Sequence, residues 1–230
     1  MYIDSVIRAR DDPESMFISA AIEGFTEGSK KLMREVWRDG TFAEYARFPI
    51  ENVFALDGER LVKELGYEEE QLAHLGTMMV PFGGLRDIRL EPGETVVVCP
   101  ATGHYSAAGV QVALALGARV IAFARSAEKL DALEQFVKRG NPETRIETVI
   151  STGDEDEDAK LLRRFGAVDA VLDLTPSSAP DSTFTKSAIK ALRRGGRVSL
   201  MGSTKNIGVA EILTNSITLK GELLDYEISR

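Results

Sequence analysis

The sequence has little of the chemistry that cross-links chains or holds structural metals. Its 230 residues include one cysteine, Cys99, and two histidines, His74 and His104. A single cysteine excludes an intramolecular disulfide, and these three residues are too few for the usual Cys/His zinc site. The composition therefore indicates a protein of a reducing compartment without structural zinc.

Long apolar runs and an excess of positive charge are also missing. No hydrophobic run reaches the roughly 18 residues that a membrane-spanning helix needs, and the amino-terminal segment becomes charged too soon for a secretory signal peptide. The 28 lysine and arginine residues are outnumbered by 36 aspartate and glutamate residues, so the net charge is -8. That balance disfavours a general nucleic-acid-binding surface. We expect a cytoplasmic protein with a small-molecule substrate, and neither nucleic acid nor a membrane as partner.

The pattern of apolar residues changes from irregular to regular near residue 90, and we predict two domains, 1–90 and 91–230. The first region is irregular. Four of its segments carry a period: strand-like alternation in 2–7 and 41–48, and helical spacing in 13–38 and 68–79. The last of these helices is expected to end before Pro81 and the Gly83-Gly84 pair.

From Glu91 onwards, short apolar runs alternate with helical segments, as in α/β proteins. The runs predict six strands, at 95–99, 119–124, 144–150, 168–174, 197–201 and 217–224. This succession fits a doubly wound parallel Rossmann sheet of order 3-2-1-4-5-6. The acidic run 154–158 is interpreted as a solvated loop between the third strand and the next helix.

The loop after the first of these strands is where the pyrophosphate of a nucleotide would bind. Such a loop needs glycines in the pattern G-x-G-x-x-G, because the turn is tight and the backbone approaches the phosphates. From residue 101 this chain reads Ala-Thr-Gly-His-Tyr-Ser, and only Gly103 keeps the pattern. Thr102 and Ser106 remain as phosphate ligands, whereas His104 and Tyr105 place large side chains where phosphates would lie.

The end of the second strand indicates which dinucleotide would bind. An acidic residue there would hold the ribose hydroxyls of NAD, but this chain has Arg125 and Ser126, with Lys129 one helical turn further on. Two cations and a hydroxyl suit a 2′-phosphate, so NADP(H) is favoured over NAD. Four more residues follow the fourth and fifth strands, where such ligands rest, and complete the predicted cofactor site: Thr175, Met201, Gly202 and Ser203.

These features together resemble the medium-chain dehydrogenase/reductase superfamily, in its zinc-independent alcohol dehydrogenase-like and quinone oxidoreductase-like branches. The resemblance lies in segments 91–98, 113–121, 192–198 and 217–221, and in 40–45 for the front region. It implies a partial, β-rich GroES-like region in residues 1–90, followed by the Rossmann domain, in a chain truncated at both ends. An incomplete barrel would expose strand edges, so the expected assembly is a homo-oligomer through strand six.

The sequence is compatible with three different functions. The first is a metal-independent, NADP(H)-dependent oxidoreductase of a small organic carbonyl or enone, secondary metabolites included, with Tyr45, Tyr105 or His104 as proton donor. The second is a repurposed scaffold in which His104 and Tyr105 carry non-redox isomerase, dehydratase or cyclase chemistry. The third is a non-catalytic partner of a full-length relative.

Overall fold

The computed structural model describes residues 1–12, 14–41, 43–205 and 207–221. The chain divides into two compact units, Met1–Gly76 and Thr77–Arg230. The predicted domain boundary at residue 90 lies further along the chain than this division. Ile88 and Leu90 pack in the same hydrophobic cluster as Val96 of the parallel sheet, so the segment before residue 91 contributes to the core of the second unit.

The first unit contains two small antiparallel pairs and short helices. β1 (Tyr2–Ile3) pairs with β4 (Val53–Phe54), and β2 (Val6–Arg8) pairs with β3 (Met16–Ile18). Three helical segments and one short helical turn complete it: α1 (Glu27–Glu35), α2 (Glu69–Leu72), a π-helical segment (Glu59–Glu64) and a 3-10 turn (Ile50–Asn52).

Two predictions for this unit are wrong. Residues 16–18 form a strand although their spacing suggested a helix, because Phe17 is buried from β3 against Ile7 of β2 and Met33 of α1. The alternating segment 41–48 forms no strand in its described residues, 41 and 43–48. A strand needs a partner ladder, and among the described residues none pairs with this segment.

The second unit alternates strands and helices along its length. Helix α3 (Leu75–Asp87) begins two residues before the division between the units. The elements that follow it are β5 (Thr95–Cys99), α4 (His104–Ala115), β6 (Arg119–Ala124), α5 (Ala127–Gly140), β7 (Ile146–Ile150), α6 (Glu155–Arg163), β8 (Val168–Asp173), α7 (Phe184–Ala191), β9 (Leu192–Leu200), α8 (Ala210–Thr214) and β10 (Thr218–Gly221). The predicted sixth strand, 217–224, is shorter in its described part, and residues 222–224 lie outside the described residues.

The six strands β5 to β10 form one parallel sheet in the order β10-β9-β8-β5-β6-β7. This is the predicted doubly wound order, and the fold class is confirmed. The central strand β5 is buried on both faces: Val96 and Val98 join one hydrophobic cluster, and Val97 and Cys99 join the other. Burial on both faces explains why its sequence is an unbroken apolar run.

Helix α3 continues through Pro81 and Gly84, so the predicted end before Pro81 is wrong. A proline inside a helix removes one backbone hydrogen bond. Against this cost, Leu85 is fully buried in the core, and Gly84 lets the helix approach the sheet closely. A Cβ atom at Gly84 would lie 2.2 Å from Sδ of Met201 and 2.6 Å from Oγ of Ser199.

The acidic run is the start of helix α6, and the predicted solvated loop is wrong. Asp154 is the N-cap residue, and its carboxylate accepts hydrogen bonds from the backbone N–H groups of Asp156 and Glu157. Asp158 is fully buried and accepts hydrogen bonds from Ser151 and Thr152. Carboxylates in the first turn of a helix are favoured by its dipole, and this explains why the run starts a helix.

Candidate functional site

The loop between β5 and α4 presents an uncapped helix N-terminus. Gly103 is the N-cap residue of α4 and provides no side-chain hydrogen bond to the first turn. The preceding Ala101 is fully buried, and its N–H donates to the carbonyl of Phe123 on β6 (2.9 Å). The loop is thereby held against the sheet, and a helix N-terminus that lacks a side-chain cap suits an anionic ligand.

Two residues of this turn are exposed, and one is buried. The rings of His104 and Tyr105 meet edge to face at 5.3 Å, and Tyr105 is 48% exposed. Nε2 of His104 lies 3.0 Å from Oγ1 of Thr77, near the start of α3. Ser106 is buried, and its Oγ would lie 3.3 Å from a Cβ atom at Gly103. An imidazole and a phenol therefore stand side by side at the mouth of the loop.

The close contact between helix and strand depends on a glycine that the sequence interpretation missed. A Cβ atom at Gly109 of α4 would lie 2.9 Å from Cδ2 of Leu172 on β8 and 3.3 Å from Cβ of Pro81 on α3. This glycine allows α4 to pack tightly, which is the role that the pattern assigned to the position of Ser106. Its place one turn later in the helix lies outside the G-x-G-x-x-G pattern.

The three residues predicted to bind a 2′-phosphate follow β6. Because β5 and β6 are parallel neighbours, Arg125 lies at the same edge of the sheet as the β5–α4 loop. Oγ of Ser126 caps α5 by accepting from the backbone N–H of Lys129 at 3.3 Å. Arg125 and Lys129 are exposed, and in the described part of the chain neither side chain has an ion pair. Their charges are therefore available to an anion.

A buried carboxylate, Asp173, organises the ends of β8 and β9. Its Oδ1 accepts from the N–H (3.1 Å) and the hydroxyl (2.6 Å) of Thr175 and from the hydroxyl of Thr185 (2.9 Å); its Oδ2 accepts from Thr204 (3.2 Å). Burial raises the pKa of Asp173 above its ordinary value, and these hydrogen bonds act in the opposite direction. The cluster fixes the predicted cofactor residue Thr175, whose own side chain faces the carboxylate.

The loops that follow β8 and β9 are locked together by close backbone contact. A Cβ atom at Gly202 would lie 2.3 Å from the backbone nitrogen of Thr175, so only glycine fits there. The N–H of Ser203 donates to the carbonyl of Thr175 (2.8 Å), and Met201 is buried. Oγ of Ser203 is buried and has no hydrogen-bond partner among the described residues. Residues 201–203 and Thr175 are consequently held in fixed positions at the carboxyl edge of β8 and β9.

Two further residues complete the account of the sequence candidates, Tyr45 and the lone thiol of Cys99, which ends β5. Tyr45 belongs to the first unit and is 89% exposed. Burial raises the pKa of the Cys99 thiol well above its ordinary value, and nearby Asp173 adds to the effect. No group of three or more His, Cys, Asp or Glu side chains in the described ranges could hold a metal ion. None of the helices in those ranges is both long and apolar enough to cross a membrane.

Comparison with known sequences finds dehydrogenases and reductases. A sequence model of the zinc-binding dehydrogenase family matches residues 106–226. An acryloyl-coenzyme A reductase of Sulfurisphaera tokodaii is 29% identical over 182 residues, which are 79% of this chain and 48% of that protein. The chain spans between 35% and 48% of the length of the curated relatives it matches.

Comparison with solved structures finds the same fold. The quinone oxidoreductase of Thermus thermophilus, solved also in complex with NADPH, is 27% identical with a TM-score of 0.52, covering 69% of this chain and 48% of that one. An NAD-dependent alcohol dehydrogenase is 23% identical with a TM-score of 0.65, covering 95% of this chain and 59% of that one. The second likeness concerns the fold alone.

Proposed function

The chain belongs to the zinc-binding dehydrogenase family of the medium-chain dehydrogenase/reductase superfamily, and on that premise we propose that it is an NADP(H)-dependent oxidoreductase of a small organic carbonyl or enone. One observation carries the proposal: the uncapped N-terminus of α4 lies at the same sheet edge as the exposed Arg125 and Lys129, which have no ion pair among the described residues. Helix N–H groups suit a pyrophosphate, and two cations suit a further phosphate.

The residues at this edge fit a phosphorylated nicotinamide dinucleotide. Thr102 and the N–H groups from residue 104 onwards would hold the pyrophosphate, and Arg125 with Lys129 would hold the 2′-phosphate. Residues 201–203 and Thr175, which are held in fixed positions by their backbone contacts, would contact the nicotinamide. The quinone oxidoreductase of Thermus thermophilus, which was solved with NADPH, supports the cofactor class.

The residues present do not fit the zinc that the family's name implies. Cys99 is buried within β5 with a raised thiol pKa, and only two histidines are available. We therefore propose metal-independent chemistry. A bound nicotinamide cofactor would supply the hydride, and the substrate oxygen that gains charge would need a proton donor. Tyr105 and His104 stand at the mouth of the phosphate loop and are the proposed donors in the second unit.

Cofactor titration of the whole chain tests the proposal. We expect saturable binding of NADPH, followed by nicotinamide fluorescence, with a preference over NADH. In Arg125→Glu the preference should fall by about tenfold or more, because a charge-assisted contact with the 2′-phosphate is replaced by repulsion. Arg139→Glu, on the last turn of the same helix α5, makes the same change of charge away from the edge and should keep the preference.

Absence of binding at millimolar concentrations of both cofactors would overturn the proposal and favour the non-redox or the non-catalytic alternative. Equal loss of preference in Arg125→Glu and Arg139→Glu would refute the assignment of the 2′-phosphate site, because overall charge would then explain the effect.

The proton donor can be identified by comparing two variants that keep Gly103 and the backbone N–H groups of the phosphate loop. If Tyr105 donates the proton, Tyr105→Phe should lower kcat by about a hundredfold or more with little change in cofactor affinity, while His104→Ala retains most activity. The reverse pattern would assign the role to His104. Full activity in both variants would remove both residues from the proposed mechanism.

We also propose that the chain self-associates through β10. Among the described residues, β10 pairs only with β9, which leaves one edge of the parallel sheet without a partner strand. Free edges of this kind favour pairing with another chain.

A further inference from the structure

A second cleft lies on the second unit, away from the carboxyl edge. It has a volume of about 570 Å³. The end of α3, the segment that follows it and the paired parts of β9 and β10 supply its lining residues, Gly83, Arg86, Asp87, Ile88, Arg89, Arg197, Thr218 and Lys220. A guanidinium nitrogen of Arg197 contacts Glu94, which directly precedes β5. The cleft therefore lies towards the amino-terminal edge of the sheet, opposite the candidate cofactor site.

The cleft carries positive charge that the side chains of the described residues do not neutralise. Its lining has four cationic side chains and one carboxylate. Lys220 lies 3.8 Å from Asp87, and Arg197 pairs with Glu94. The other two arginines, Arg86 and Arg89, are exposed and have no ion pair within the described ranges. In a chain with a net charge of -8, two uncompensated arginines on one concave surface indicate an anionic ligand.

Arg197, which lines this cleft, has a buried N–H donor without an acceptor among the described residues. Arg197 uses one terminal nitrogen for Glu94, but its Nε is buried and has no hydrogen-bond partner among the described residues. Buried N–H donors are nearly always paired. A ligand oxygen that enters the cleft and draws the guanidinium towards it would supply the acceptor.

Arg89 occupies a backbone position that usually belongs to glycine. Helix α3 ends in a Schellman motif, in which the N–H of Leu90 donates to Leu85 (3.0 Å) and the N–H of Arg89 donates to Arg86 (3.0 Å). The motif places Arg89 at φ 52°, in the left-handed region where a Cβ atom is disfavoured. A strained residue at such a position points to a role for its side chain, and that side chain lines the cleft.

We propose that this cleft binds a small phosphorylated metabolite with two or more negative charges, held mainly by Arg86 and Arg89. A concave site of this volume suits a small molecule, and planar guanidinium groups suit phosphate oxygens. The same phosphate chemistry occurs on lipid headgroups, so the test includes both sources. The proposal is independent of the proposed oxidoreductase activity.

The test uses calorimetric titration of the whole chain with tripolyphosphate. We expect saturable binding that weakens by about tenfold or more in Arg86→Gln and in Arg89→Gly, because each loses a charged hydrogen-bonding group. Arg139→Gln, an exposed arginine on α5, removes the same charge outside the cleft and should bind as the wild type does. Arg125→Glu is titrated alongside, because it alters the opposite edge of the sheet, where the proposed cofactor site offers a second place for a phosphate.

Arg89→Gly separates loss of the site from loss of the fold. Glycine relieves the left-handed strain, so this variant should unfold at a higher temperature than the wild type while binding tripolyphosphate more weakly. Wild-type affinity in both Arg86→Gln and Arg89→Gly would overturn the proposal. Loss of binding in Arg125→Glu would move the anion to the β5–α4 loop, and binding to phosphoinositide vesicles without binding of tripolyphosphate would replace the metabolite with a membrane.

Discussion

Asp173 is a buried carboxyl group whose surroundings determine its pKa. Burial raises its pKa above the ordinary value of 3.8, so the native state holds this proton more tightly than the unfolded chain does. Its contribution to stability is complete below the unfolded pKa and is lost as the pH rises through the higher folded pKa. Above that pH the ionised carboxylate stays buried, because three hydroxyl groups and one backbone N–H donate hydrogen bonds to it and stabilise its charge.

Asp173→Asn should remove this pH dependence while keeping the network. The amide oxygen can still accept the three hydrogen bonds made to Oδ1, and Thr204 can reorient to accept from the amide nitrogen. We expect the free energy of unfolding of the variant, measured by urea titration, to improve relative to the wild type as the pH rises from about 4 to about 8. Parallel pH curves for the two proteins would contradict the raised pKa.

Asp173→Ala is the matched comparison, because it leaves the same hydroxyl groups without an acceptor. It should lower the free energy of unfolding by about 3 kcal/mol at neutral pH. A cost near zero would mean that water replaces the carboxylate, and that Asp173 does not hold the loops after β8 and β9 together.

The role of Asp173 could not be predicted from its neighbours in the sequence. Its partners Thr185 and Thr204 lie 12 and 31 residues away, on α7 and in the loop after β9. The pairing of β8 with β9 and the packing of α7 on β8 bring them to one point. The adjacent residues Arg125 and Ser126, by contrast, could be placed at the sheet edge from the sequence, because a predicted strand ends directly before them.

Helix α6 shows how one run of acidic residues contains three different roles. Asp154 caps the helix, Asp158 is buried beneath the preceding turn, and Glu157 is exposed. The run has the composition of a solvated loop, and composition alone does not distinguish these roles. The pattern that does is an aspartate directly before a helix, followed by apolar residues at helical spacing.

Alanine substitutions along α6 should therefore have graded effects. Asp154→Ala should cost about 1 kcal/mol, the usual value of an N-cap. Asp158→Ala should cost about 3 kcal/mol, because it leaves the hydroxyls of Ser151 and Thr152 and the N–H of Thr152 without their acceptor. Glu157→Ala should change the free energy of unfolding by less than about 0.5 kcal/mol. Urea titration measures all three, and equal effects would show that only the net charge of the run matters.

Helix α3 differs from its prediction because tertiary contacts outweigh local preference. Proline and glycine indicate a helix end in an isolated segment. Here Pro81 packs near Gly109 of α4, and Gly84 packs against Met201 and Ser199. The residues that would break an isolated helix are the ones that let this helix approach its neighbours, and the sequence around them does not contain that information.

At the scale of the whole molecule, the two units differ in how far the sequence predicts them. The strands of the second unit are apolar runs buried on both faces, and the bounds of β5 and β6 agree with those predicted. The first unit has strands of two or three residues, and β1 pairs with β4, about fifty residues away. So short a strand buries little surface, and the one alternating segment predicted at 2–7 is divided in the structure between β1 and β2.

In the part of the chain that the structure describes, one edge of β10 has no partner strand, and this leads to a prediction for the assembled protein. If a second copy pairs with this edge, sedimentation of the wild type should show a concentration-dependent dimer. Proline substitutions at Leu219 and Lys220 test the edge directly, because successive N–H groups of a strand point to opposite sides. One of the two prolines removes a donor from the ladder with β9 and should lower the unfolding temperature. The other removes a donor from the free edge only.

The variant that keeps the wild-type unfolding temperature identifies the outward N–H, and this is the variant that should sediment as a monomer. The destabilised variant serves as its control, since it perturbs the same strand but leaves the outward donor in place. A wild type that is monomeric at every concentration would exclude self-association through β10. A dimer that survives in the thermally stable variant would place the interface elsewhere, because pairing at a strand edge depends on the backbone donors that proline removes.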